Sequence, residues 1–325
     1  MAVLQYREAL NQALFEEMRR DPMVFCMGAG IAERGGSYKV TAGLLEEFGE
    51  KRVFDTPLSE ASFVGMAGGA AVLGARPVVE VLFIDFTFLA MDQLANQIAK
   101  FNFMTGGQCT VPMVLRTQGG VGNGVAGQHS QSLEGMFYQI PGLQVVMPST
   151  PYDAKGLLKS SIRSDHPVMF LENKKLYMTE GEVPDEEYLV PFGKADIKRE
   201  GTDVTMVTYS YMTLECLEAA KKLAEKGISA EVIELRTLVP MDEEAILQSV
   251  EKTGRLVVVH EAPVRGGVGG DILSRVLEKA FYSLEAPVKR IAGKNTTIPF
   301  NVNLERLCVP NVDDIVNGVI EVMEG

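Results

Sequence analysis

Two runs of alternating strand-like and helix-like segments, parted by one acidic stretch, leave this chain few folds to choose from. In the first run, short apolar segments at 23–27, 78–83, 111–115, 145–147 and 168–171 have the length and composition of buried strands. Helices fit the gaps at 61–73, 89–101 and 152–162, and Leu10, Ala13, Leu14 and Met18 form an apolar helical stripe ahead of them. Periodicity stops between Thr179 and Pro191, where Glu180-Gly181-Glu182-Val183-Pro184-Asp185-Glu186-Glu187 is acidic and rich in breakers. It then resumes with strands at 204–208, 229–235 and 256–260 and helices at 214–226, 243–252, 270–280 and 313–323. Such alternation favours parallel strands joined by right-handed crossovers. The expected fold is α/β, with two three-layer domains and mainly parallel sheets at 1–178 and 192–325, joined by a linker at 179–191. A length of 325 residues suits two such cores.

The formal charge of -12 argues against nucleic acid or an anionic membrane as partner and suits a basic protein surface. Cys26, Cys109, Cys216 and Cys308 are scattered without a Cys-x-x-Cys pair, and there are 3 histidines. Free thiols in a reducing cytoplasm fit this better than a zinc site. The chain opens on Gln5-Tyr6-Arg7-Glu8-Ala9-Leu10, helical in pattern, so no targeting segment is expected. The longest uncharged stretch, 61–75, is too short to span a bilayer.

Three glycine-rich segments invite a nucleotide-binding reading. In Gly28-Ala29-Gly30-Ile31-Ala32-Glu33 the third glycine position is Glu33, which sets a charge where a pyrophosphate would lie. Gly266-Gly267-Val268-Gly269-Gly270 has the wrong spacing and reads as a strand-to-helix turn. The loop Gly119–Gly127 lacks the lysine of a P-loop, so its glycines read as backbone freedom close to a ligand. Two titratable residues stand out. Glu60 precedes the small-residue run Gly65-Met66-Ala67-Gly68-Gly69-Ala70-Ala71, and His129 closes the glycine-rich loop. On spacing alone Glu60 is better read as a helix N-terminal acid with Ser59 as cap. His129 is likewise better read as hydrogen-bonded between Gln128 and Ser130. The aromatic run Phe83-Ile84-Asp85-Phe86-Thr87-Phe88 suits core packing, with stacking on a heterocycle as the alternative.

A set of motifs, in order along the chain, changes these odds. They are Asp55-Thr56-Pro57-Leu58-Ser59-Glu60-Ala61-Ser62, Pro77-Val78-Val79-Glu80, Met91-Asp92-Gln93-Leu94, Gly127-Gln128-His129-Ser130-Gln131 and Pro148-Ser149-Thr150-Pro151-Tyr152-Asp153-Ala154-Lys155. Further on come Leu171-Glu172-Asn173, Val232-Ile233-Glu234-Leu235-Arg236-Thr237, His260-Glu261-Ala262-Pro263 and Ala286-Pro287-Val288-Lys289-Arg290. Together they resemble the β subunit of the E1 component of thiamine-diphosphate-dependent 2-oxo acid dehydrogenases of the pyruvate, branched-chain and acetoin type. The resemblance runs over essentially the whole chain.

It implies a transketolase-like pyrimidine-binding domain followed by a transketolase C-terminal-like domain. By the same matching, Glu60 is the carboxylate that bonds the aminopyrimidine ring of thiamine diphosphate and stabilises the form that activates the thiazolium. A low-polarity flank suits that role. Phe86 is the aromatic stacked on the pyrimidine, Leu58 and Leu82 line that pocket, and His129 assists the substrate and its transfer to the lipoyl group. The family also implies a K+ ion held by backbone carbonyls, matching Met113, Ser161, Ile162, Ser164 and His166. No Gly-Asp-Gly motif occurs in the chain. The diphosphate and its Mg2+ are therefore expected on an E1 α subunit in an α2β2 assembly. A basic subunit-binding domain of the E2 acyltransferase is the second expected partner, drawn to the acidic surface. The substrate would be a small 2-oxo acid or acetoin. Ala29 departs from the family, which commonly has an acidic residue there in a carboxylate path between cofactor sites; its loss implies more independent sites. The competing readings are the C-terminal half of a split transketolase and a non-catalytic assembly subunit. The first calls for extra pocket histidines and arginines, whereas this chain has few histidines and its Gly-Gln-His-Ser-Gln and Leu-Glu-Asn motifs resemble E1; retention of Glu60, Phe86 and His129 opposes the second.

Overall fold

The computed structural model describes residues 1–325. The chain forms two compact units, one of Met1–Gly119 with Met136–Pro191, the other of Gly120–Gly135 with Phe192–Gly325. A loop from the first half of the sequence thus belongs to the second unit.

The first unit opens with β1 (Ala2–Gln5), α1 (Tyr6–Arg20), β2 (Val24–Gly28), α2 (Leu44–Phe48), β3 (Val53–Asp55), α3 (Glu60–Val72) and β4 (Arg76–Val81). After two non-α turns come α4 (Phe101–Met104), β5 (Val114–Gly119), α5 (Glu134–Tyr138, whose first two residues fall in the second unit), β6 (Gln144–Val146), α6 (Pro151–Arg163), β7 (Val168–Asn173) and β8 (Glu180–Val183). Strands pair in the order β6–β7–β5–β4–β2–β3, all parallel. Strands β4, β5 and β7 are buried almost end to end, as strands covered on both faces of a parallel sheet are, although each carries a charged residue. The stripe Leu10, Ala13, Leu14 and Met18 is fully buried where α1 packs on α6. Glu8 closes α1 as a capping box by accepting from the Gln5 N–H at 2.8 Å.

Two stretches differ from expectation. In place of one helix at 89–101 the chain makes a 3-10 helix at Ile84–Ala90 and a π-helix at Asp92–Ile98. Thr87 Oγ1 donates to the Ile84 carbonyl at 2.5 Å, an i−3 bond that favours the tighter turn. Within the expected linker, Glu180–Val183 is a strand paired antiparallel with β1. It shows no apolar alternation because main-chain pairing, rather than a buried face, defines it. The Met1 ammonium meets Asp185 at 2.7 Å beside it.

The second unit contains β9 (Asp196–Arg199), β10 (Val204–Thr208), α7 (Met212–Ala224), β11 (Ala230–Glu234), β12 (Thr237–Val239), α8 (Glu243–Thr253), β13 (Leu256–Pro263), α9 (Gly269–Lys279), β14 (Lys289–Gly293), α10 (Val302–Arg306) and α11 (Val312–Glu324). Its sheet runs β14–β13–β10–β11–β9, parallel except for β9. Val204, Met206, Val232, Val257 and Val259 face Cys216, Ala219, Ala220 and Leu223 of α7 and Ile315 and Val319 of α11 in one core. Asp242 caps α8 by accepting from Ala245 N–H at 3.3 Å, and Asn311 caps α11. All four cysteines are free. No helix is long and apolar enough to cross a membrane.

Candidate active site

Glu60 is the first residue of α3, where the helix dipole favours a carboxylate. Ser59 does not cap the helix as expected: its Oγ donates to Ser62 Oγ at 2.9 Å and leaves the backbone N–H groups alone. Glu60 is 9% exposed and its carboxylate has no hydrogen-bond or ion-pair partner within the chain. A buried carboxylate without a donor is costly, which a helix-terminus role alone does not explain. The small residues of α3 let its neighbours close in: a Cβ on Gly68 would lie 2.7 Å from Ile98 Cγ1 of the π-helix. Helix α3 also packs on the 3-10 segment that carries Phe86. Phe86 and Leu82 are half-buried there, while Leu58, on the approach to α3, is 82% exposed. The first unit thus sets Glu60 and Phe86 on two contacting elements. Ala29, half-buried, lies just past β2 at the strand end next to Gly28.

His129 is half-buried in the second unit, with its N–H donating to the Ala126 carbonyl at 3.2 Å in a turn. The loop around it is shaped by positive φ at Gly120, Gly122, Gly124 and, unusually for a residue with a side chain, Ala126 at 63°. Two of its glycines, Gly124 and Gly127, pack closely against protein. A Cβ on Gly127 would meet Thr297 Cγ2 at 2.6 Å, and one on Gly124 would meet Val302 Cγ2 at 2.9 Å. Backbone groups of the loop are held by the second unit: Val121 N–H donates to Glu261 Oε1 at 2.6 Å and Gly124 N–H to Glu305 Oε2 at 3.1 Å. Ser130 and Gln131 help line a cavity of about 380 Å3 that also reaches Glu261, Arg265 and Cys308.

At the end of the loop, Glu134 accepts from Tyr209 OH at 2.9 Å, and Tyr209 stacks with His260 at 6.2 Å between ring centroids. The His260 ring lies under the Gly266–Gly270 turn, which is the strand-to-helix connection expected; a Cβ on Gly267 would meet its Cε1 at 2.4 Å. Burial pushes the Glu134 carboxyl up to about 7 and the His260 imidazole down to about 4. Glu134 therefore stabilises the fold below its unfolded value of 4.5 and loses that contribution as pH rises through about 7. His260 does the reverse: its contribution is full above 6.5 and lost as pH falls through about 4. Between pH 4.5 and 6.5 the two oppose each other. Removing one should expose the other. Relative to wild type, the stability of Glu134→Gln is expected to fall with acidification across this window, by about 1.4 kcal/mol per pH unit at most. His260→Gln should show the opposite slope, and parallel urea-derived stability profiles for all three proteins would reject the pairing.

Four of the five carbonyls matched to a K+ site, those of Met113, Ser161, Ile162 and Ser164, already have partners. Arg76 Nη1 donates to the Ile162 and Ser164 carbonyls, both at 3.0 Å, and Nη2 meets Asp165 at 2.6 Å. Val168 N–H donates to the Met113 carbonyl at 2.9 Å, and Ser164 N–H to that of Ser161 at 3.2 Å. A cation there would use the second lone pair of each oxygen.

The sequence reading passed over a buried ionic cluster beneath the first unit's strand ends. Arg116 Nη1 and Nη2 donate to Glu80 Oε2 and Glu172 Oε2, each at 2.8 Å, and Tyr177 OH donates to Glu172 at 2.6 Å. Arg116 Nε lies 2.7 Å from Glu172 Oε1 but is too poorly aligned to hydrogen-bond it. Single charges inside apolar strands, at Val79-Glu80-Val81, Leu115-Arg116-Thr117 and Leu171-Glu172-Asn173, were the available signal. Glu261, Glu305 and Glu134 had none, because Glu261 and Glu305 are remote in sequence from the loop they hold and Tyr209 is remote from Glu134.

Comparison with known proteins gives these features a family. The transketolase pyrimidine binding domain matches residues 2–180 and the transketolase C-terminal domain residues 193–315. A split-gene transketolase, described as an inactive β4 tetramer, superposes with a TM-score of 0.82 over 99% of this chain and 98% of its own at 22% identity. A transketolase mutant from Pichia stipitis superposes at a TM-score of 0.71 and 12% identity, with this chain covering 46% of it. Both share the fold. The pyruvate dehydrogenase E1 component subunit beta of Staphylococcus aureus is 47% identical over 325 residues, covering 100% of both chains. The mitochondrial pyruvate dehydrogenase E1 component subunit beta-2 of Oryza sativa subsp. japonica is 48% identical over 316 residues, covering 96% of this chain and 84% of its own. The fold is therefore that of a two-domain, transketolase-type thiamine-diphosphate protein. The chain belongs to the pyruvate dehydrogenase E1 component β-subunit family.

Proposed function

We propose that this chain supplies the pyrimidine side of a thiamine-diphosphate active site in a two-subunit E1 component acting on pyruvate. Support comes above all from Glu60, a buried carboxylate without a donor in its own chain. Such a group fits a cofactor ring that brings a donor to it. When bound, thiamine diphosphate supplies the carbon nucleophile and electron sink for decarboxylation of a 2-oxo acid. Glu60 holds the proton shared with the pyrimidine, and the half-buried Phe86 and Leu82 provide an apolar face that keeps water from it. Leu58 becomes part of that face when a partner covers its exposed side chain. His129 hydrogen-bonds the substrate and moves a proton during acyl transfer to a lipoyl group.

An α subunit carries the diphosphate and Mg2+, since this chain lacks Gly-Asp-Gly. The α2β2 stoichiometry and docking of a basic E2 subunit-binding domain on the acidic C-terminal domain belong to the same reading. Residues 1–178 are read as the pyrimidine-binding domain, 179–191 as the connecting segment and 192–325 as the C-terminal domain. A split transketolase is the weaker reading, because its support is a likeness in fold at 22% identity against 47% to E1 β subunits.

The test is reconstitution. Alone, the chain should bind thiamine diphosphate poorly and decarboxylate nothing. Co-produced with its α subunit, it should turn over pyruvate with an artificial electron acceptor. Turnover of xylulose 5-phosphate in place of pyruvate would overturn the assignment. We also read the carbonyls of Met113, Ser161, Ile162, Ser164 and His166 as a K+ site that supplements Arg76. Replacing K+ by choline is then expected to lower the thermal midpoint of the assembled enzyme by a few degrees, about 1 kcal/mol. An unchanged midpoint overturns the K+ site and leaves the Ile162 and Ser164 carbonyls to Arg76 alone.

A further inference from the structure

The loop that carries His129 is gripped by carboxylates at its backbone, and both come from chain stretches far from it in sequence. Glu261, at the end of β13, accepts the Val121 N–H at 2.6 Å; Glu305, on α10, accepts the Gly124 N–H at 3.1 Å. Glu261 is 8% exposed and Glu305 0%. The second oxygen of Glu305, Oε1, is buried without a hydrogen-bond partner. Burying the Glu305 carboxylate to satisfy one backbone N–H is a poor way to gain stability, because a neutral acceptor would serve at lower desolvation cost. A charged acceptor makes a shorter, stronger bond to a backbone N–H, and its benefit is a fixed position. The loop has the shape to use that. Gly120 N–H closes its neck on the Gln131 carbonyl at 3.0 Å, while Gly124 and Gly127 lie flush against the 297–302 segment. Between those fixed points stands His129.

We propose that Glu261 and Glu305 are positioning residues for His129, clamping its loop through Val121 and Gly124 so that the imidazole keeps one location during acyl transfer. This rests on the reading of His129 given above. The clamp acts on a group that must meet its substrate within hydrogen-bond reach, where a misplacement of 1 Å costs roughly 100-fold in rate.

The experiment uses the α/β assembly with Glu305→Ala, Glu305→Gln, Glu261→Ala and Glu261→Gln, alone and combined with His129→Ala. Hydrogen–deuterium exchange of the 120–135 segment should rise in the alanine variants and return toward wild type in the glutamine variants, which keep an acceptor oxygen. Turnover with lipoyl acceptor should fall roughly 10–100-fold in the alanine variants, with little change in the half-saturating concentration of thiamine diphosphate. On the His129→Ala background neither alanine change should lower turnover further. Unchanged exchange in the loop overturns the clamp. So does a loss of turnover that multiplies with that of His129→Ala, because the carboxylates would then act elsewhere. If Glu305→Ala does not assemble, Glu261→Ala decides, since its side chain lines the water-accessible cavity and its loss leaves no sealed void. Should His129→Ala itself leave turnover intact, the histidine's role fails while the exchange measurement still judges the clamp.

Discussion

Replacing Glu60 by glutamine is expected to lower pyruvate turnover of the assembled enzyme by about three orders of magnitude while leaving assembly intact. The thermal midpoint should hold or rise. Both halves of that expectation follow from one observation: the residue is 9% exposed and no hydrogen bond or ion pair within the chain holds its carboxylate. A residue kept for stability would have a partner, and losing it would weaken the fold. Here the neutral amide breaks no contact within the chain and removes a charge from a mostly buried residue, so the fold gains or stays level. Function loses the group that shares a proton with the cofactor ring. The helix dipole at the start of α3 softens the cost of the charge by only about 0.3–1 kcal/mol, too little to account for its retention. Circular dichroism melts and steady-state rates on the same preparation would decide. Near-normal turnover, or a marked drop in midpoint with unchanged rate per folded enzyme, would return Glu60 to a structural role.

Most of the fold was legible because buried parallel strands and amphipathic helices write themselves as apolar runs and stripes. The core strands β4, β5, β7, β10, β11 and β13 all fall within a few residues of the segments read from the chain. What escaped was structure defined by hydrogen bonding without a buried face. Strand β8 is held to β1 by main-chain pairing, and the 84–98 stretch bends through a 3-10 and a π turn with the composition of an ordinary helix. The site divided in the same way. Glu60 and Phe86 lie on elements the pattern could locate, although only the family resemblance told their chemistry from a helix end and a core aromatic. For the His129 loop the resemblance named the histidine, yet local sequence said nothing of Glu261 and Glu305, more than a hundred residues away, or of Glu134 meeting Tyr209. Long-range polar contacts have no period to read.

The largest effect on stability is expected at Arg116, whose change to methionine should cost about 3–5 kcal/mol in denaturant unfolding. Arg116 is 1% exposed and holds Glu80 and Glu172, which are 6% and 2% exposed. Burial by itself would lower the arginine's pKa, but Glu172 and Glu80 drive it upward and keep the guanidinium charged. Burial likewise pushes Glu172 up, against the pull of Arg116 and the Tyr177 hydroxyl. The cluster has one cation for two carboxylates, so it lacks a spare positive charge. Removing Arg116 strands both acids in the interior; removing Glu80 leaves the Arg116–Glu172 pair whole. Glu80→Gln should therefore cost much less than Arg116→Met, and Arg116→Lys should fall between them, since an ammonium cannot reach both partners with a planar fork. A further comparison separates pairing from packing. Arg116→Met combined with Glu80→Gln and Glu172→Gln should recover much of the loss, because no unpaired charge is left behind. If the triple variant is as weak as Arg116→Met alone, the lost energy lies in the packing of the arginine stem between β4 and β7, and the electrostatic account of the cluster is wrong.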